Sequence, residues 1–156
     1  MSRGQVGSID FIASIVIVSI VTTIFIQYIF SSYSTGESIS DLSTEAARIS
    51  ESLMSAGLPN NWTEADVRRI GLTDDNWRIN ETKAVLFYQI PDSKIRHVLG
   101  TDSKLHIALY NGTNPISVGG FLAVGEFPFN AKKIASISRY VIYRSSVMEL
   151  RVRVWQ

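Results

Sequence analysis

The chain has 156 residues, 15 basic and 14 acidic, for a formal charge of +1, and it contains no cysteine. The mixed, near-neutral balance leaves no basic stripe to draw in nucleic acid and no acidic block for a tail, so no nucleic-acid partner is expected. Without thiols there is neither a disulfide framework nor a thiolate metal site, and any part outside a membrane must be held together by its own core.

Residues 1–10 form a short leader, MSRGQVGSID, with a cation at Arg3 and a carboxylate at Asp10. The run Phe11 to Phe30, FIASIVIVSIVTTIFIQYIF, then carries no charge at all. At about 1.5 Å per helical residue it reaches about 30 Å, the thickness of a bilayer's hydrocarbon core. Lipid offers no partner to backbone N–H and C=O groups, so this β-branched run is expected to be a transmembrane helix. The hydroxyls of Ser14, Ser19, Thr22 and Thr23 can bond back to a carbonyl one turn earlier. With Ala13 they form a narrow, less bulky face of the kind that lets helices approach closely. Asp10, at the start of the run, suits the positive end of a helix dipole. A secretory signal has an apolar core of about 7–15 residues and a small-x-small cleavage site, and neither fits here.

Arg3-Gly4-Gln5, the small residues after it, the acid at Asp10 and the long apolar run together resemble the class III signal peptide of archaeal type IV pilin-like proteins. The resemblance implies a prepilin peptidase that cuts on the cytoplasmic side, between Gly4 and Gln5, and leaves the apolar helix on the mature protein. That family commonly carries an acid at the fifth mature position, whereas Asp10 would be the sixth. An uncleaved anchor accounts for the same short basic leader.

Arg3 lies close to the membrane on one side, and no cation follows Phe30 until Arg48. The positive-inside rule therefore places the N-terminus in the cytoplasm and everything from Ser31 onward outside. Tyr28 and Tyr33 bracket the outer end, at headgroup depth. Three Asn-x-Thr sequons, at Asn61, Asn80 and Asn111, lie on that outer side and are candidate N-glycosylation sites. Each of these asparagines suits a turn or helix cap equally well.

Ile39, Leu42, Ala46, Ile49 and Leu53 recur at three- and four-residue intervals and predict an amphipathic stalk helix within residues 31–57. It is expected to be loosened between Ser31 and Gly36, to open at Ser38 or Ser40, and to stop at Gly57 before Pro59. Residues 58–156 then form a head. Thr63-Glu-Ala-Asp66 has capping-box spacing, Asn80 can cap a helix Glu81 to Gln89, and Pro91 and Gly100 bound another whose inward face is Ile95, Val98 and Leu99. Asp74-Asp75 before Asn76 reads as a turn. Gly57-Leu-Pro-Asn-Asn-Trp62, Ile70-Gly-Leu72 and Asn80-Glu-Thr-Lys83 are similar to what archaeal class III signal peptide proteins carry after the stalk.

The last third alternates. Leu105, Ile107 and Leu109 form one strand face ended by Asn111-Gly112; Val118 to Val124 reads as a glycine-weakened strand. Ile134 to Tyr143 and a strand with Met148, Leu150, Val152 and Val154 facing inward form a hairpin. The expected fold is α+β, with an N-terminal transmembrane and stalk helix, short helices and a C-terminal antiparallel sheet, which the resemblance implies is pilin-like.

His97 and His106 show no paired metal-ligand spacing, and there is no nucleophile elbow, phosphate loop or dinucleotide fingerprint. Arg151 and Arg153 read as the solvated face of a strand. No enzyme activity, cofactor or metal is expected. Two classes remain. One is a structural, pilin-like subunit of a surface filament or its assembly machinery, with lipid, prepilin peptidase and other pilin-like subunits as partners. The other is a single-span membrane protein whose outer domain binds a ligand or partner and never assembles.

Overall fold

The computed structural model describes residues 3–74 and 77–156, with the backbone alone for residues 3–9 and 31–38. The chain divides into two compact units, Met1–Ser38 and Ile39–Gln156. Its elements are α1 (Arg3–Leu53), α2 (Glu81–Gln89), α3 (Asp92–Leu99), β1 (Lys104–Asn111), β2 (Asn114–Pro115), β3 (Val124–Gly125), β4 (Ile134–Tyr143) and β5 (Ser146–Trp155). The fold is α+β, as the sequence predicts.

α1 corrects two expectations. Its backbone is helical from Arg3 to Leu53, so there is no break between Ser31 and Gly36, and neither Ser38 nor Ser40 opens a new helix. No proline stands in that stretch, and a lone glycine costs about 1 kcal/mol against alanine, too little to stop a helix already propagating. α1 also ends at Leu53, short of Gly57. The carbonyls there are taken up by the returning chain: Leu72 N donates to Leu53 O, Thr73 N to Ser55 O and Thr73 Oγ1 to Met54 O. This return satisfies the carbonyls just before Gly57, which takes the expected left-handed φ of +82°. It requires a bare backbone at Gly71, where a Cβ would collide with Gly57 N and Ser55 O.

In the second unit, Leu42, Ala46, Ile49 and Leu53 form the buried stripe of α1, while Ile39, the first residue of the expected stripe, is 46% exposed. They join one apolar cluster with Phe87 of α2, Ile95 and Leu99 of α3, and Ile107, Leu109, Leu150 and Val152 of the sheet. Burying a side chain of this size contributes about 1.5–3 kcal/mol. Trp62 is also in the core, and its Nε1 donates to Gly71 O at 2.9 Å. Asp66 accepts from Thr63 N and Oγ1 at 2.6 and 2.7 Å, but the segment makes turns and no helix.

α2 and α3 follow their sequence signals. Asn80 Oδ1 accepts from Lys83 N at 3.1 Å, and α3 begins after Pro91 and closes on Gly100 in the left-handed region. The sheet order is β2-β1-β5-β4, antiparallel, with β3 also pairing with β1. Ile107 lies opposite Val152, and Val152 opposite Ile137. The β4–β5 hairpin turns on Arg144 and Ser145, both with positive φ, as a two-residue primed turn demands.

One expected strand is absent. Val118 and Phe121 bond to each other across Gly119-Gly120, making a tight turn, and only Val124–Gly125 joins the sheet. Glycine weakening wins there over apolar content. β1 differs from a half-exposed strand as well: His106, Ala108 and Tyr110 are buried along with the Leu105 face.

Candidate functional site

In the first unit the described side chains, residues 10–30, are predominantly apolar. Asp10–Phe30 is a stretch of 21 residues long and apolar enough to cross a membrane, and none of it is buried by the protein itself. A signal sequence meets the same test of length and composition. Phe11 and Phe30, the two ends of the uncharged run within it, are both exposed. The hydroxyls bond back as expected: Ser14 Oγ to Asp10 O, Ser19 Oγ to Ile15 O and Thr23 Oγ1 to Ser19 O, each at 2.8 Å. Their donors are thus satisfied inside the helix. Gly4 and Gln5 lie on the helical backbone near its start, where side chains are outside the described residues. The helical backbone runs back through Asp10 to Arg3, with no acid in its first turn.

The sequon asparagines occupy three environments. Asn61 and Asn111 are exposed, the latter at the end of β1. Asn80 is half-buried with both ends of its amide engaged, Oδ1 capping α2 and Nδ2 donating to the Asp74 carboxylate at 3.1 and 3.3 Å. Asp75 and Asn76, the rest of the turn expected there, lie outside the described residues.

The sheet face that carries His106, Ala108 and Tyr110 brings charged and aromatic side chains together. The register places His106 beside Arg153, Ala108 beside Arg151 and Tyr110 beside Glu149. Arg151 stacks on the Tyr110 ring at 4.2 Å and forks onto Glu149, while Arg153 lies 5.3 Å from the Phe127 ring. Two hydrogen bonds from Arg151 and one from Ser138 hold the Glu149 carboxyl below the usual carboxylate range. Burial, then the Arg153 charge, pushes the His106 imidazole down. The guanidiniums are therefore committed to Tyr110, Glu149 and Phe127, so the solvated strand face read from the sequence is a packed one. His97 is exposed at the end of α3. Among the described residues no three metal-ligating side chains converge.

The elements define a class of protein: one N-terminal helix compatible with a membrane anchor or signal, followed by a small α+β domain with an antiparallel sheet. The chain belongs to a family of unknown function, DUF7287, whose model matches residues 1–155. No curated protein and no solved structure matches it.

Proposed function

We propose that the chain is a membrane-anchored, type IV pilin-like subunit of an archaeal surface filament or of its assembly machinery. The N-terminus is cytoplasmic, the α+β domain is outside, and the protein is a structural subunit without catalysis. The observation that carries this reading is the uncovered Asp10–Phe30 helix, which must be covered by lipid, by other copies, or by each in turn. The leader adds to it, because Arg3-Gly4-Gln5 offers a peptidase bond that would retain the whole helix.

The same uncovered helix serves a single-span protein whose domain binds a ligand and never assembles. A cleft beside the sheet, described below, favours that second reading. Mass spectrometry of protein from native membranes separates the cases. A mature chain beginning at Gln5 supports the filament subunit; an intact Met1 supports the anchored domain; a chain lacking residues 1–30 overturns both.

Assembly is tested by Ser14→Leu with Ser19→Leu. Both changes add apolar surface and neither breaks a bond between helices, since each hydroxyl bonds to its own backbone. Membrane insertion is unchanged, whereas the fraction recovered with sheared filaments falls because close approach of copies is blocked. Equal recovery of mutant and parent in that fraction removes the filament reading.

A further inference from the structure

A cleft of about 380 Å³ opens at the end of the sheet where β1 begins and β5 finishes. Its walls include Phe127, Phe129 and Trp155, and its polar groups include Asp102, Asn130 and Gln156. Its size is that of small-molecule sites, which span about 300–1,000 Å³.

The aromatic residues are arranged unequally. Trp155 is buried. Phe127 is committed to the protein, with Arg153 over its ring and the His106 ring edge-on at 5.2 Å. Phe129 leans on Phe127 at 4.9 Å with an angle of 51°, yet remains 83% exposed, the most exposed large apolar residue in the second unit. A phenylalanine held beside a second ring and offered to water is a platform without an occupant within the chain.

Charge narrows the occupant. Asp102 and Glu126 supply two carboxylates at the cleft, Lys104 lies 3.4 Å from Glu126, and Arg153 stands behind Phe127. Within the lining Lys104 answers Glu126, which leaves one formal negative charge, at Asp102, and disfavours an anionic occupant. What remains is an apolar ring surface edged by a carboxylate and two amides, groups that donate to and accept from neighbouring hydroxyls. A sugar ring has this combination, with C–H groups on its face and hydroxyls at its rim. We propose that the Phe127–Phe129 cleft binds a neutral saccharide, with Phe129 under the ring face and Asp102, Asn130 and Gln156 at its hydroxyls.

The test uses the full chain in detergent micelles, titrated calorimetrically with chitotriose, maltotriose, mannotriose and β-galactobiose. At least one binds, and Phe129→Ala weakens that binding by about tenfold, the value of a stacked ring. Phe129→Trp retains it. Tyr140→Ala, an exposed aromatic on β4 away from the cleft, leaves it unchanged. Because Phe129 is almost fully exposed, its removal leaves the thermal midpoint in place, which separates lost binding from lost folding. Absence of binding to all four sugars overturns the proposal, as does binding that Phe129→Ala does not weaken. Tighter binding of tetramethylammonium or inorganic phosphate than of any sugar also overturns it. None of these outcomes depends on cleavage at Gly4 or on filament assembly.

Discussion

Arg48 Nη1 donates to Leu99 O at 2.7 Å and Nη2 to Gly100 O at 3.1 Å, so a side chain of α1 closes the C-terminal end of α3. A helix leaves its last carbonyls without partners, and a cation there also answers the negative end of the dipole. Ser103 Oγ donates to Glu45 Oε2 at 2.8 Å one turn earlier on α1, fastening the same corner. Arg48→Leu is expected to destabilise the domain by about 1–2 kcal/mol, read from urea unfolding followed by tryptophan fluorescence. Arg48→Lys recovers only part, since one ammonium cannot fork onto two carbonyls.

Lys83 is the buried counterpart. Its Nζ donates to Ala56 O at 3.0 Å and Asn60 Oδ1 at 3.2 Å and meets Asp74 Oδ1 at 3.4 Å, tying α2 to the loop after α1. Lys83→Met keeps the stem and removes the donors. The loss is expected to be about 1–3 kcal/mol, because the half-buried Ala56 carbonyl loses its charged donor. A denaturation midpoint equal to that of the parent protein would refute it.

At the β4–β5 turn, Ser145 has φ near 62°, a region costly for a residue with a Cβ. Ser145→Gly is expected to raise stability by about 1 kcal/mol and to slow global unfolding. The gain shows as a higher thermal midpoint at unchanged fold, checked by circular dichroism. Arg144 is left in place because it pairs with Glu81.

His106 sets an acid limit. Its pKa is lowered in the folded state, first by burial and then by Arg153, so the unfolded chain binds the proton more readily. Stability is therefore complete above the ordinary imidazole pKa of about 6.5 and declines as pH falls below it, until the folded imidazole is also protonated. Glu149, whose folded pKa is lowered, adds a second loss only at more acid pH. Thermal midpoints from pH 7.5 to 5 measure the first effect, and His106→Gln is expected to flatten that slope while leaving the steeper loss below it.

Glycan occupancy is expected to differ among the three sequons if the domain is exported as proposed. Asn61 and Asn111 are exposed, whereas Asn80 Nδ2 is engaged by Asp74 and its Oδ1 caps α2. Glycopeptide mass spectrometry of native protein should find sugar at Asn61 or Asn111 and none at Asn80. Occupancy at Asn80 alone would contradict this ordering.

Local physics was enough for much of the chain. The uncharged run Phe11 to Phe30 is legible because hydrophobic length is a property of consecutive residues. The same holds for Asn80 as a cap, Gly100 as a stop, and the alternation of Leu150, Val152 and Val154, since each needs only neighbours within a turn or a strand pair. Tertiary structure decided what depends on residues far apart. Where helix α1 ends, Leu72 returns to take the Leu53 carbonyl and Thr73 those of Met54 and Ser55 just beyond it. Val118 to Val124 makes a turn because Gly119 and Gly120 take positive φ and let Val118 meet Phe121. Arg151 and Arg153 are taken out of bulk solvent by Tyr110 and Phe127, partners brought to them by β1 and the loop after β3. The cleft at Phe129 has walls from three stretches of sequence, and no spacing along the chain encodes their meeting. Periodicity reports which face of an element is apolar; what that face touches is settled only when the chain closes on itself.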